Sequence, residues 1–328
     1  MTPILIACIV LIPASALLSS AFAKRMKARS LGQQIRTVGP DGHARKSGTP
    51  TMGGAVVITI WIAGVLALGI VHPLSLKGGF ILASASLFGA IGAADDLISL
   101  RRRRSLGLSP TGKIALSSLA VLVLFFAFNG AFRTPIMVPF SSLHLPLPPI
   151  GSFLLAWLVF LGTTNGMNLT DGLDGLASGV TILVLIGAAV LSPEREVLIV
   201  VLPLIAVLIG FLWVNAYPAR LFLGDVGSFA LGGGIAGLAI ANGTSLILPI
   251  LGGLIVLETG SVILQVVFLK AKGKRLFKMS PLHHHFEEGT KAKGEYLLPA
   301  PEWPEPTITA RFLLVEGLFV LIALVAGG

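Results

Sequence analysis

Residues 79–98 read GFILASASLFGAIGAADDLI, an apolar run of membrane-spanning length that ends on two adjacent carboxylates, Asp95 and Asp96. A helix needs roughly 20 apolar residues to cross a bilayer. Outward from this stretch, further runs lie near 2–23, 52–72, 112–132, 151–166, 176–191, 197–214, 227–241, 246–269 and 308–326. The chain of 328 residues is 54% hydrophobic and 12% charged, with a mean hydropathy of +0.91, which excludes an ordinary soluble domain. Unpaired backbone is not tolerated in lipid, so the expected fold is all-α: a single integral-membrane domain over 1–328 with about ten helices.

The first run ends Ala21-Phe22-Ala23, a small-x-small pattern that resembles a signal-peptide cleavage site. A signal peptide carries its positive charge ahead of the apolar stretch, whereas Lys24, Arg25, Lys27 and Arg29 follow this one. Helix one is therefore expected to run from outside to inside, and about ten helices place both termini outside. Alternating the loops puts 21 of the 24 Lys and Arg at the cytoplasmic face, leaving Lys77, Arg133 and Arg195 outside. The net charge of +9 is then explained by orientation against anionic headgroups, without nucleic acid as a partner. The sole cysteine, Cys8, excludes an intrachain disulfide.

Most polar residues with chemical potential fall on the predicted inner loops. Segment 39–54, GPDGHARKSGTPTMGG, is dense in glycine and hydroxyls directly ahead of an apolar helix. Free backbone N–H groups and a helix N-terminus suit an anion, with Lys46 as point charge and Thr49 and Thr51 alongside; an ordinary loop with a threonine cap is the alternative. Asp95 and Asp96 point about 100° apart on a helix, which favours divided roles over joint chelation. The following Arg101–Arg104 run equally suits a plain positive-inside anchor. Asn165, Asn168, Asp171 and Asp174 recur every three residues, a spacing that lines one helical face and suits a cation or a sugar, with an Asp171-Gly172 turn as the rival reading. Asn215 precedes FLGDVGS at 222–228, in which Gly224 and Gly227 flank Asp225 and allow close approach of a ligand. His283, His284 and His285 are consecutive and lack the spacing of a zinc helix, so phosphate or sugar contacts are preferred. Hard oxygen ligands without thiolates select Mg²⁺, which uses one or two carboxylates together with substrate phosphates.

Read in order, KSGTPTMGG at 46–54, Asp95-Asp96, NLTDGLDG at 168–175, FLGDVGS at 222–228, HHHFE at 283–287 and WPEP at 303–306 resemble the polyprenyl-phosphate hexosamine-1-phosphate transferases, of glycosyltransferase family 4 type. Among them the chain looks like the phospho-N-acetylmuramoyl-pentapeptide transferase branch, over essentially its whole length. The resemblance implies UDP-N-acetylmuramoyl-pentapeptide as donor, undecaprenyl phosphate as acceptor, lipid I and UMP as products, and Mg²⁺ as cofactor. It also implies a multi-pass protein of the bacterial inner membrane, often a homodimer, with its site at the cytoplasmic face. Carried onto matching positions, it makes Asp225 the metal ligand, and Asp95 the base or nucleophile with Asp96 beside it. His283 joins these in the catalytic set. Asn168, Asp171 and Phe222 are placed at the uridine. Lys46, Lys113, His284 and His285 are placed at phosphates or sugar, and Thr49, Thr51, Asn165, Asp174, Asn215, Gly224 and Gln265 complete the substrate-binding set. Whether Asp95 deprotonates the lipid phosphate or itself attacks stays open, with the direct route preferred.

Two departures stand out. Ser99 occupies a position where the family usually carries lysine, leaving a phosphate contact to Arg101 or Arg103. Between Glu287 and Trp303 the chain inserts Glu288–Glu302, expected to form an extended cytoplasmic loop (287–303) over the site. An N-acetylglucosamine-1-phosphate transferase is the nearest rival. An ion-coupled transporter is more distant, because its carboxylates belong near the bilayer midplane rather than at one face.

Overall fold

The computed structural model describes residues 1–28, 48–102, 107–290 and 294–328. Among these, eight helices are long and apolar enough to cross a membrane: α1 (Thr2–Ala28), α3 (Leu76–Arg102), α4 (Pro110–Ala127), α5 (Pro149–Thr170), α7 (Arg195–Asn215), α8 (Gly224–Ala241), α10 (Gly253–Lys272) and α12 (Glu305–Gly327). Two shorter apolar helices, α2 (Gly53–Gly69) and α6 (Leu176–Leu191), complete the bundle. The only strands among the described residues are β1 (Ile136–Met137) and β2 (His144–Leu145), a two-residue antiparallel ladder in the loop between α4 and α5. The protein is an all-α, multi-pass membrane protein.

The helix α8 is the axis of the fold. Every residue from Val226 to Ala241 is buried, as expected for a helix that is apolar all round. Its glycines explain how its neighbours fit around it: a methyl on Gly232 would lie 2.7 Å from the Thr164 Cα of α5, and one on Gly233 would lie 2.8 Å from the Phe88 Cβ of α3. In lipid, where apolar side chains gain little by leaving one apolar medium for another, such close approach is a main source of helix association. The pair α3 and α8 forms the most extensive helix contact among the described residues. A second layer joins α1, α2 and α7 through Ser15 Oγ donating to Val207 O (2.7 Å) and Trp61 Nε1 donating to Val200 O (2.8 Å).

The span expected near 246–269 is broken. A short helix, α9 (Leu248–Leu251), ends at Gly252, and α10 restarts at Gly253, where a methyl would collide with the Phe319 ring at 2.3 Å. The freed Leu254 N–H is met by Glu316 Oε2 of α12 at 2.9 Å, so a buried carboxyl group satisfies a helix start inside the apolar layer. The run expected near 112–132 likewise closes at Ala127, followed by a 3₁₀ turn at Asn129–Arg133.

The loop inserted after Glu287 is anchored at both ends. Trp303 N donates to Phe286 O (2.8 Å) and Glu288 N to Trp303 O (3.1 Å), while the Trp303 and Phe286 rings stack at 4.7 Å. Leu297 N and Leu298 N donate to Arg275 O and Leu276 O at 3.0 and 2.9 Å. Its described residues are thus strapped to Arg275 and Leu276 by backbone bonds.

Candidate active site

Four helix ends converge at one end of the bundle: the last turns of α3 and α5 and the first turns of α4 and α8. Ser109 caps α4 by accepting Gly112 N–H (3.1 Å), with Pro110 at the first helical position, and this start places Lys113 in the first turn. On α8, Gly224 adopts φ +77° and delivers Asp225 into the first turn. A side chain at Gly224 would meet Asp96 Oδ2 and Thr51 Oγ1, both at 2.8 Å, so glycine is required on two counts.

The Lys113 ammonium lies 2.6 Å from Asp225 Oδ2 and 3.3 Å from Asp95 Oδ1, and 5.2 Å above the Phe229 ring. Asn168 Nδ2 donates to the other oxygen, Asp225 Oδ1, at 2.8 Å, and to Ser228 Oγ at 3.0 Å. Asp95 Oδ1 also accepts Leu108 N–H at 2.6 Å, which folds the start of α4 onto α3. Asp96 plays a different part: its Oδ2 accepts Val226 N–H at 3.0 Å, so it caps the N-terminus of α8. The two neighbouring aspartates thus make different contacts.

One cation thus sits between two carboxylates at the end of four helices. No three His, Cys, Asp or Glu side chains among the described residues stand close enough to hold a metal by themselves. A pair of carboxylates is nonetheless the donor set that Mg²⁺ uses when substrate phosphates supply the remaining ligands. The shared ammonium marks a position where Asp95 and Asp225 already accommodate a cation.

Several residues assigned to substrate on sequence are engaged elsewhere. Gly53 N and Gly54 N donate to Phe222 O and Leu223 O at 2.9 and 2.8 Å, and Phe222 N donates to Pro50 O at 2.9 Å. These N–H groups lash the glycine-rich loop to the start of α8 and are not free to cradle an anion. Thr51 is buried in that junction, Thr49 lies at its partly exposed rim, and Lys46 lies outside the described residues.

The expected stripe of Asn165, Asn168, Asp171 and Asp174 is interrupted. The helix α5 ends at Thr170, Asp171 is its C-cap with φ −78° and ψ 46°, and the chain then turns through 171–175. Asn165 Nδ2 folds back onto Leu161 O (2.8 Å). Asp174 is buried; its Oδ2 accepts Ala219 N–H at 2.9 Å and its own N–H donates to Glu305 Oε1 at 2.8 Å, so it braces loops. Asn215 is also internal, donating to Leu221 O (3.0 Å) and accepting from Ser178 Oγ (2.9 Å).

Gln265 is buried and makes three hydrogen bonds. Its Oε1 accepts Leu276 N–H and Phe277 N–H at 3.0 and 2.9 Å, and its Nε2 donates to Phe277 O at 3.2 Å. Gln265→Ala is expected to destabilise the fold by about 1–3 kcal/mol by leaving buried N–H groups unmet, measurable as a lowered melting temperature.

The histidines divide into three environments on the short helix α11 (His283–Phe286). His284 Nδ1 lies 2.7 Å from Glu287 Oε2. His285 is buried and its Nδ1 accepts Lys278 N–H at 3.0 Å. Burial first, and the Lys278 ammonium second, push the His285 pKa below its ordinary value near 6.5. Neutral His285 stabilises the fold fully above that ordinary value, and the contribution is lost as pH falls below it toward the lowered folded value. Wild type is therefore expected to lose melting temperature between pH 7 and 5 more steeply than His285→Asn, in thermal melts on purified protein. His283 is fully buried against Glu258 and Gly172, so its expected phosphate contact is not formed in this arrangement.

Glu258 and Glu316 were not singled out by sequence, although a lone carboxylate inside an apolar run (246–269 or 308–326) is itself a signal.

Comparison with known proteins places these residues in a family. Residues 79–243 match glycosyl transferase family 4, and residues 46–58 match signature 1 of the phospho-N-acetylmuramoyl-pentapeptide-transferases. The phospho-N-acetylmuramoyl-pentapeptide-transferase of Frankia casuarinae is 37% identical over 99% of this chain and 96% of its own length. That of Desulforamulus reducens is 41% identical over 89% and 86%, and that of Rubrobacter xylanophilus 36% over 92% and 90%. The chain belongs to the phospho-N-acetylmuramoyl-pentapeptide-transferase family within glycosyl transferase family 4.

Proposed function

We propose that this protein transfers phospho-N-acetylmuramoyl-pentapeptide from UDP-N-acetylmuramoyl-pentapeptide to undecaprenyl phosphate, giving lipid I and UMP. The reaction takes place at the cytoplasmic face of the bacterial inner membrane, with two copies paired as the family resemblance implies. The observation that carries this reading is the Lys113 ammonium shared by Asp95 and Asp225 where four helix ends meet, in a chain of this family.

In this reading Asp225 would be the principal Mg²⁺ ligand, with substrate phosphates supplying further oxygens. When bound, the ion supplies neutralisation of the negative charge that develops on the departing UMP. Asn168 donates to one Asp225 oxygen and Lys113 to the other, which orients the carboxylate before the ion arrives. Asp95 accepts the proton of the lipid phosphate. An oxygen of that phosphate then bonds to the sugar-linked phosphorus as the bond from that phosphorus to the UMP oxygen breaks. Phe222, whose backbone is tied to Pro50 and Gly53, would stack its ring on the uracil.

The test is UMP release by purified protein given undecaprenyl phosphate, Mg²⁺ and either UDP-N-acetylmuramoyl-pentapeptide or UDP-N-acetylglucosamine. Turnover of the muramoyl donor alone is expected. Turnover of the acetylglucosamine donor would move the pathway, and no turnover of either would remove the assignment. A phosphosugar-enzyme adduct trapped with donor alone would replace the direct route by a covalent one.

A further inference from the structure

We propose that Tyr296, Leu297 and Leu298 of the inserted loop, together with Lys270, Lys272 and Arg275, form a docking patch for the anionic headgroup layer of the membrane beside the end of α10. The inference concerns the loop and does not rest on the transfer reaction.

The patch begins where a span stops. The helix α10 turns Ile263, Leu264 and Val267 outward as a lipid-facing stripe and ends at Lys272. Lys270 and Lys272 occupy its last turn, and Lys274 and Arg275 follow directly. Lysines at the end of a span lay their stems along apolar surface and extend their ammonium groups into the headgroup region.

The inserted loop comes back to this boundary. Tyr296 pairs in parallel with Arg275, whose N–H donates to Glu295 O at 3.2 Å, while Leu297 N and Leu298 N donate to Arg275 O and Leu276 O. Three apolar residues are therefore held against a segment that lies three and four residues beyond the last residue of the span. The far end of the loop is fixed as well: the Lys278 ammonium pairs with Glu302, and Trp303 lies between the Phe286 ring and the Arg311 guanidinium, the latter 4.1 Å from its centroid. With the backbone tied at both ends, the side chains are displayed rather than folded inward. Leu297 is 61% exposed, Leu298 42% and Tyr296 40%.

Two properties select lipid as the occupant. The patch continues a membrane-spanning helix, and it is cationic. Residues 270–276 and 294–298 hold four Lys or Arg and a single carboxylate, Glu295, which Lys274 meets at 2.8 Å. Lys270, Lys272 and Arg275 remain as excess positive charge. An aromatic ring and two leucines bordered by such cations have the composition of an interfacial anchor: the apolar groups enter the boundary between headgroups and acyl chains, and the cations meet lipid phosphates.

The experiment places a bimane label on L297C, in a C8S background that removes the sole native cysteine. The full chain is put into nanodiscs of phosphatidylcholine alone or mixed with phosphatidylglycerol. Emission is quenched either by iodide in the water or by a lipid that carries a nitroxide at headgroup level. Nitroxide quenching is expected to be at least about twofold stronger in the phosphatidylglycerol discs, with iodide quenching reduced to match. K270Q/K272Q/R275Q is expected to abolish that difference while the melting temperature stays unchanged. A probe open to iodide and untouched by the nitroxide lipid in both discs would overturn the proposal, as would lipid quenching indifferent to phosphatidylglycerol and to the charge substitutions. Shielding from iodide without lipid quenching, seen only in discs that hold two copies, would assign the patch to a second copy of this chain and likewise overturn it. Should labelled L297C not fold, L298C carries the same probe and is judged by the same outcomes.

Discussion

Asp225→Ala is expected to lower kcat/KM for UMP release about a thousandfold or more, the scale of losing a group aimed at developing phosphoryl charge. Asp225 is the carboxylate on which the site converges, with one oxygen 2.6 Å from the Lys113 ammonium and the other 2.8 Å from the Asn168 amide. Without it the carboxylate contacts of Lys113 reduce to the longer one to Asp95, at 3.3 Å, and Asn168 loses its acceptor at the reacting end. The fold is expected to survive, because the N-terminus of α8 stays capped by Asp96 through Val226 N–H. Activity and melting temperature should therefore separate. Turnover near wild type would show that the chemistry lies elsewhere, and parallel loss of folding would show that the carboxylate is structural.

Gly92→Ala is expected to be one of the most damaging single methyls in the core. The added carbon would lie 2.1 Å from the Asp225 carbonyl oxygen and 2.8 Å from the Val226 Cα, both backbone atoms of a buried helix. Neither can rotate away, so α3 and α8 must separate along their most extensive contact. Overpacking of this kind costs about 1–3 kcal/mol or more, and a displacement near 1 Å at a reacting centre can cost about a hundredfold in rate. Both effects should appear together, since the clash is with the residue that carries the proposed metal ligand. Gly317→Ala in α12 is the control. Nothing lies within 4 Å of the added carbon there, and the change should be neutral or stabilising by about 0.5–1 kcal/mol. Thermal melts and UMP release on both variants test the pair.

The local sequence carried the membrane architecture. Hydropathy is a property of consecutive residues, so spans could be read without knowing what they touch. The one broken span shows where that reading stops: 246–269 is apolar almost throughout, yet it breaks at Gly252 because the Phe319 ring crowds Gly253 and Glu316 accepts the freed Leu254 N–H. Glu316 is 62 residues from Leu254 in the chain, a separation no hydropathy window registers.

The sequence by itself also determined where charge collects. Burying an ionisable group in an apolar layer is costly, so Asp95, Asp96 and Asp225 at the ends of apolar runs already mark a site in the linear chain. Which polar groups face that site was decided only by tertiary structure. Gln265, Asn215 and Asp174 look like ligands in a one-dimensional reading, yet each is hydrogen-bonded inside the protein to a neighbouring loop or helix. The Gly53 and Gly54 amides, read as an anion cradle, are paired with Phe222 and Leu223. Conversely Glu258 and His283 become a pair only when α10 and α11 pack together. Composition and spacing fix which groups must find partners; the choice of partner belongs to residues brought together by the packing of helices distant in sequence.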